Sequence, residues 1–157
     1  MRLALALVLL LAAPPLAAQT VTAREGWVVA PTPHAYPVLL ERLRAAIAAE
    51  GMGLVTEAGP TEVARARGVE IPGNRVLGVF RNDFAVRLIR AAPAATIEAP
   101  IRFLVTEEPD GTASLAWKTP GAVFAPYLAE GGRELAALGE ELDVIFAVIA
   151  ARAAAPE

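Results

Sequence analysis

The sequence has 157 residues, a formal net charge of −3, no cysteine and one histidine. The absence of cysteine excludes thiol catalysis, iron–sulfur clusters and cysteine-ligated zinc, and a lone histidine excludes a histidine-rich metal site. The basic residues are scattered and the net charge is small, so the sequence argues against nucleic acid as a partner and predicts no cofactor. The length suits one domain with a substantial core.

Residues 1–20, MRLALALVLLLAAPPLAAQT, have the pattern of a secretory signal peptide. Arg2 supplies the positive charge, an apolar run and two prolines follow, and small residues precede a cleavage point after Ala18. The apolar run is shorter than the roughly 20 residues of a membrane span, which favours a cleaved signal over an uncleaved anchor. We therefore predict a signal peptide at 1–18 and a mature chain at 19–157. The mature chain is expected in the periplasm or secreted, with no transmembrane segment.

In the first half of the mature chain, three predicted strands alternate with three helices. The glycines of GMG end the first helix, Thr61 is placed to cap the second, and Asn82 or Asp83 to cap the third. His34 falls in the turn PTPHAYP after the first strand. The predicted elements are a strand at 26–30, a helix at 38–50, a strand at 54–58, a helix at 61–68, a strand at 75–80 and a helix at 82–92.

A β-hairpin is the most distinct local prediction. The runs APIRFLVTEE and TASLAWKTP, both with alternating apolar residues, flank the turn sequence PDG at 109–111. Because strand neighbours point to opposite faces, Ile101 and Phe103 share one face, and Arg102 points away to solvent or to an acidic neighbour.

After the hairpin, the sequence predicts a helical stretch interrupted at Pro126, a break at Gly131-Gly132, and a long helix from about Arg133 to Ala154. Its apolar residues form one stripe of Leu135, Leu138, Leu142, Ile145 and Ile149, with Phe146 beside it. The order of elements predicts an α+β fold in which a mainly antiparallel sheet packs against helices, the last of them long. This helix is a candidate dimer surface if the sheet does not use the whole stripe.

Two segments carry motifs of a known family: GVEIPGNRVLGVFRND at 68–83 and APAATIEAPIRFLVTEEPDGTASLAWKTPGAVFAPY at 92–127. A Gly-hydrophobic-Glu-hydrophobic turn precedes a strand that ends in Phe, and an acidic Asp-Gly hairpin precedes an aromatic-x-x-Pro sequence. In this order the motifs resemble the bacterial domain-of-unknown-function 302 family over about 35–151. The resemblance implies a curved sheet, a dimer and frequent export, but no established reaction.

The sequence departs from this family pattern at three places. Many relatives have a histidine in the stretch that matches Gly59-Pro60, and this chain has none there. The relatives' Phe-Gly-Asn-Pro is FRND at 80–83 here, and their Tyr-Asn-x-Pro is WKTP at 117–120. If the family histidine binds a metal or carries protons, this member is expected to have lost that activity.

The segment RNDFAVRLIR, which begins at Arg81, is the sharpest candidate for a functional site. Arg87 and Arg90 share a helix face opposite the apolar residues, so a solvated face with ordinary ion pairs explains them. Arg81 and Asn82 lie at a helix N-terminus, where free N–H groups favour anions and a guanidinium can clamp a carboxylate or phosphate. Asp83 competes for the same donors. The solvated face is the favoured interpretation, and an anion site is the alternative.

His34, Trp117 and Tyr127 are weaker candidates. A lone histidine in a turn is usually exposed, and a general base requires a partner. Trp117 and Tyr127 are placed to line an apolar pocket under the hairpin, although core packing is the favoured interpretation of Trp117. The sequence has no P-loop, Gly-x-Ser-x-Gly or HExxH motif.

These patterns predict an exported, non-catalytic binding domain without metal or cofactor. The expected partner is a second copy, an envelope protein, or a small amphipathic or anionic ligand. The alternative is a small periplasmic enzyme or anion-binding protein that uses Arg81, Asn82 and carboxylates. A pocket in which Arg81, Asn82 or His34 meets an acid from another element would favour that alternative.

Overall fold

A computed structural model describes residues 20–156, so the predicted signal peptide lies outside the described residues. The strands of this part of the chain are β1 (Trp27–Ala35), β2 (Gly53–Ala58), β3 (Asn74–Phe80), β4 (Ile101–Glu107) and β5 (Thr112–Lys118). They form a five-stranded sheet in the order β1-β5-β4-β3-β2, and all neighbours are antiparallel. The predicted antiparallel sheet and the hairpin of β4 and β5 are confirmed.

The helices are α1 (Tyr36–Ala49), α2 (Thr61–Ala66), α3 (Asn82–Ala91), α4 (Pro120–Phe124) and α5 (Leu128–Ala154), with short 3₁₀ turns at Pro93–Glu98 and Ala125–Tyr127. Within α5, Gly132 has φ 55° and ψ −144°, a conformation that only glycine adopts readily. The predicted break before the long helix is therefore confirmed. Within residues 20–156, none of these helices combines the length and the apolar character needed to cross a bilayer.

One face of the sheet packs against α1, α3 and α5 and forms the core. Phe103 of β4 lies at its centre, where its ring stacks on Phe146 of α5 with 4.6 Å between centroids and meets Trp117 at 5.7 Å. Helix α5 also buries the leucines of its predicted stripe, while Ile145 is only half-buried. The stripe is thus used within the core, and the α+β fold with a long C-terminal helix is confirmed.

The predicted turn at 31–37 is wrong, because β1 continues through Ala35. Prolines are tolerated there because β1 is the edge strand, whose outer side needs no N–H donors. His34 consequently lies within a strand and is 6% exposed, so the prediction of an exposed loop histidine is also wrong. The predicted strand at 26–30 is the first part of β1, and apolar alternation alone could not extend it, because Pro31 and Pro33 interrupt the pattern.

Two predicted helix caps are wrong as well. Thr61 is the first residue of α2, and its hydroxyl donates to the Pro72 carbonyl and accepts the Asn74 N–H instead of capping the helix. At α3, the N-cap position is occupied by Arg81, and no side chain caps the helix. Asp83 binds the Arg81 side chain.

Candidate functional site

Two arginines of the segment RNDFAVRLIR, Arg81 and Arg87, form ion pairs with different partners. Arg87 reaches α5, where its Nε lies 3.2 Å from Glu134 Oε1 and its Nη1 lies 2.6 Å from Glu141 Oε2. The hydrogen bond with Glu141, followed by that with Glu134, raises the pKa of Arg87 despite the opposing effect of burial. Arg87 therefore fastens α3 to α5. The sequence pattern could not identify these acids, because they lie in an element that begins far along the chain.

Arg81 is also occupied. Its Nε donates to Asp83 Oδ1 at 2.8 Å, and its guanidinium lies over the ring of Phe84, 4.1 Å from the centroid. The hydrogen bond from Arg81 lowers the pKa of Asp83, and the backbone N–H of Phe84 also contributes. Asn82 is exposed beside them. Asp83 thus already engages the groups expected to bind an anion, and within residues 20–156 no acid from another element forms an ion pair with Arg81.

The side chain of His34 forms a hydrogen bond at the C-terminal end of α5. Its Nε2 lies 2.8 Å from the carbonyl oxygen of Ala155, so this nitrogen is the donor. Arg42 of α1 donates to the same carbonyl at 2.7 Å and to that of Ala153 at 2.9 Å. Both side chains satisfy carbonyls at a helix C-terminus, which otherwise lack intrahelical donors. His34 is placed here as an anchor, with no carboxylate partner in the part of the chain that the structure describes.

Trp117 and Tyr127 occupy different surroundings. Trp117 is 6% exposed and packs in the core, with one edge reaching a surface concavity. Tyr127 is half-buried, and its hydroxyl donates to Glu98 Oε1 at 2.8 Å. The two aromatic side chains therefore do not form the shared pocket expected from the sequence, although Glu98 and Trp117 both line that concavity.

The sheet face that points away from α1, α3 and α5, hereafter the open face, carries three rows of side chains across the strands. Strand alternation and the observed register define them. The first row is Trp27, Lys118, Arg102 and Gly78; the second is Val29, Ala116, Leu104 and Val76; the third is Pro31, Ser114, Thr106 and Asn74. The open face thus changes from cationic and aromatic, through apolar, to polar along the strands.

A concavity of about 270 Å³ lies at the cationic end of the open face. Its lining includes Trp27, Arg102, Leu104, Ala116 and Lys118, and Glu98 stands at its margin. The predicted outward direction of Arg102 is confirmed, since it is exposed beside the buried Ile101 and Phe103.

Arg102 and Lys118 form no ion pair within residues 20–156. The Lys118 ammonium instead lies 5.8 Å from the centroid of the Trp27 ring. Sequence reasoning missed Trp27 and Lys118 as site residues. Alternation in β1 and β5 was the available signal, but only their pairing brings these two residues together.

No group of three or more His, Asp or Glu side chains in residues 20–156 is arranged to hold a metal ion. The site that the geometry offers is therefore a small apolar depression with two cationic side chains and one carboxylate. Such a depression can bind a ligand through burial of apolar surface and charge-assisted hydrogen bonds.

The architecture defines the class: a small α+β domain whose antiparallel sheet is covered by helices on one face. The model of one family, domain of unknown function DUF302, matches residues 28–149, and the chain belongs to this family. Its fold is similar to the crystal structure of an uncharacterized conserved DUF302 protein from Bacillus stearothermophilus, with a TM-score of 0.71 at 17% identity. The match covers 83% of this chain and 99% of that chain. No curated protein matches the chain.

Gly59 lies in the stretch where the sequence departs from the expected family pattern, and it has no room for a side chain. A Cβ atom there would lie 2.2 Å from the Asn74 carbonyl oxygen and 3.0 Å from Arg75 Nε. Arg75 forms ion pairs with Glu57 and Glu62 next to this glycine. The close approach of backbone and ion pairs explains why glycine fits here, and it leaves this corner of the domain as a surface network of charges.

Proposed function

We propose that this chain is an exported, non-catalytic binding domain that takes a small amphipathic anion into the concavity of the open face. The observation that carries the proposal is the combination of an apolar floor with two cations, Arg102 and Lys118, that have no acidic partner in residues 20–156. Export is supported by the signal-like pattern at 1–18.

The charges favour an anion. Arg102 and Lys118 precede and follow the paired residues Phe103 and Trp117, so strand alternation places both cations side by side on the open face. Two neighbouring cations repel each other in the domain without ligand, and an anionic group bound between them would relieve this repulsion. Within residues 20–156, Glu98 forms no ion pair with either cation, and its Oε1 accepts a hydrogen bond from Tyr127.

The apolar residues that line the bottom of the concavity favour a ligand in which the anionic group is attached to an apolar part. Leu104 of β4 and Val76 of β3 are half-buried on the open face. Ala116 of β5, which lies beside Leu104, is nearly fully buried. Small and branched side chains leave a shallow trough in which an alkyl chain or aromatic ring can lose its contact with water. Carboxylates of medium-length fatty acids and aryl acids have this combination of properties.

The geometry favours a small ligand over a second copy at this site. A symmetric pairing centred on the concavity would place the cations of two copies against each other, and Glu98 is the one acid among the residues described as lining it. The enzyme alternative is not favoured by any observation at α3, because Arg81 is paired with Asp83 of its own helix.

The test is calorimetric titration and thermal shift of the mature chain with decanoate, phenylpropionate and the neutral control decanol. A ligand at 100 times its Kd should add about 2.7 kcal/mol to the free energy of unfolding, which is a shift of several degrees. The double variant Arg102→Gln/Lys118→Gln should weaken binding of the acids by at least about tenfold, because charge-assisted hydrogen bonds contribute roughly 1.5–3 kcal/mol.

Arg90→Gln is the matched control, since Arg90 is an exposed arginine of α3 that is not among the residues lining the concavity. It should leave binding unchanged. Binding of decanol as tight as that of decanoate, equal binding by the double variant, or no thermal shift with either acid would each overturn the proposal.

A further inference from the structure

The carboxylate of Glu98 shares the lining of the concavity with two cations, Arg102 and Lys118. Opposite charges in one depression attract each other. In the part of the chain that the structure describes, Glu98 nevertheless forms an ion pair with neither of them. Another contact therefore sets the position of this carboxylate.

Tyr127 provides that contact. Glu98 ends the 3₁₀ turn Pro93–Glu98, and Tyr127 ends the 3₁₀ turn Ala125–Tyr127. The Tyr127 hydroxyl donates to Glu98 Oε1 at 2.8 Å. This hydrogen bond raises the pKa of Tyr127 further above neutrality, so the hydroxyl stays a donor. Tyr127 therefore holds one oxygen of Glu98 and fixes the direction of the carboxylate.

The second carboxylate oxygen of Glu98 is open to a ligand. Oε2 accepts no hydrogen bond within residues 20–156, and it is not among the buried side-chain atoms that lack a partner, so it is accessible from outside. Glu98 as a whole is half-buried. A ligand that enters the concavity displaces water from Oε2, and a carboxylate oxygen that loses water without gaining a donor costs free energy. The ligand that suits this lining best therefore brings a donor of its own.

We propose that Glu98 is the specificity-determining residue of the concavity, and that the preferred ligand is an amphipathic acid with a hydroxyl or ammonium group beside its carboxylate. The inference rests on the proposed function, in which Arg102 and Lys118 bind the carboxylate. The donor of the ligand binds Glu98 Oε2, and its apolar part lies against Leu104 and Ala116. A concavity of about 270 Å³ has the size of one small molecule, so a single ligand reaches all three charged groups.

The charges of the lining also select against a second negative charge on the ligand. Arg102 and Lys118 are positive and Glu98 is negative, so the charge of one cation is left for a ligand to balance. The single carboxylate of a monoanion supplies this charge. The second carboxylate of a diacid would take the place of the donor and lie next to Glu98, where like charges repel. Glu98 therefore favours an acid with a donor over an acid without one, and disfavours a diacid.

Calorimetric titration with four ligands that differ at one carbon tests the inference. Beside the carboxylate, phenylpropionate has only hydrogen, phenyllactate a hydroxyl group, phenylalanine an ammonium group and benzylmalonate a second carboxylate. Phenyllactate or phenylalanine should bind the wild type about tenfold more tightly than phenylpropionate, which corresponds to one hydrogen bond to a charged group. Whichever of the two binds more tightly identifies the donor as hydroxyl or ammonium. Benzylmalonate should bind more weakly than phenylpropionate.

Variants at Glu98 show whether this residue sets the order of the four affinities. Glu98→Ala removes the acceptor and the negative charge, so phenyllactate and phenylalanine should bind it no more tightly than phenylpropionate, and benzylmalonate should gain relative to phenylpropionate. Glu98→Gln removes only the charge and should reduce both effects, and it serves if Glu98→Ala does not fold. Glu41→Ala, which removes an exposed carboxylate of α1 outside the lining, should keep the wild-type order. A merely structural role of Glu98 would lower the Tm without changing this order.

The outcomes separate this inference from the proposed ligand binding. If phenylpropionate binds through Arg102 and Lys118 but neither phenyllactate nor phenylalanine binds more tightly, only the role of Glu98 is overturned. A preference for the donor that survives unchanged in Glu98→Ala overturns it as well. If none of the four ligands binds the wild type, the proposed function fails, and the inference fails with it.

Discussion

The contact between α1 and the end of α5 makes a quantitative prediction at Arg42. Its guanidinium donates to the carbonyls of Arg152, Ala153 and Ala155. Replacing Arg42 with Met keeps most of the apolar stem and removes the charge and the donors. A cation at a partly buried helix C-terminus contributes up to about 2 kcal/mol, and the freed carbonyls near the surface regain hydrogen bonds with water. We therefore expect a loss of about 1.5–2 kcal/mol in the free energy of unfolding.

Urea unfolding followed by circular dichroism measures this loss. The midpoint should fall while the m-value stays constant, because the surface exposed on unfolding hardly changes. The corresponding decrease in Tm is roughly 4–8 °C for a domain of this size. Hydrogen exchange should accelerate in the last turn of α5, whose carbonyls Arg42 binds, more than in β4.

Arg67→Met is the matched control, since Arg67 is exposed after α2 and forms no ion pair within residues 20–156. Arg42→Lys should fall between the wild type and Arg42→Met, because lysine keeps the charge but not the planar set of donors. If Arg42→Met unfolds at the same urea concentration as Arg67→Met, the reasoning about the helix end is refuted.

Three further substitutions test other parts of the fold. Phe146→Ala removes the ring stacked on Phe103 and should cost about 3–5 kcal/mol in urea unfolding; a loss below about 1 kcal/mol would contradict its central position. Gly132→Ala should cost about 1–3 kcal/mol through backbone strain alone, since a Cβ there meets no atom within 4 Å. Burial raises the pKa of Asp143 even though Gly121 donates to it at 2.9 Å. Asp143→Asn should therefore be more stable than the wild type at pH 7, and the gap should close as the pH falls and the wild-type carboxyl becomes protonated, which pH-dependent thermal unfolding can check.

Local chemistry made the hairpin and the glycine break predictable. The turn PDG fixes the β4–β5 connection, and Gly111 has φ 84°, which suits glycine. The alternation of Ile101, Arg102 and Phe103 then gave the direction of each side chain correctly. In these segments, residues a few positions apart determine the outcome, so no distant contact was required.

The site could not be predicted from the sequence, because its residues contact partners that lie far away along the chain. Trp27 meets Lys118 only because β1 pairs with β5, and Arg87 meets Glu134 and Glu141 only because α3 packs on α5. The local pattern of RNDFAVRLIR showed three arginines but not the acids of α5 that pair with Arg87. His34 was misplaced for a similar reason, since its burial depends on the end of α5.

The pairing of β1 with β5 has a consequence for the timing of folding. Trp27 is opposite Lys118, and α1 packs against α5, the last helix of the described chain. The apolar side of α1, with Leu39 and Leu43, packs against β1, β2 and β4 as well, but it is fully covered only when β5 and α5 are also in place. Contacts between such distant parts of a chain slow folding, because a long loop must close before they form. A nascent chain of this topology cannot complete its core until the residues of β5 and α5 have been synthesised.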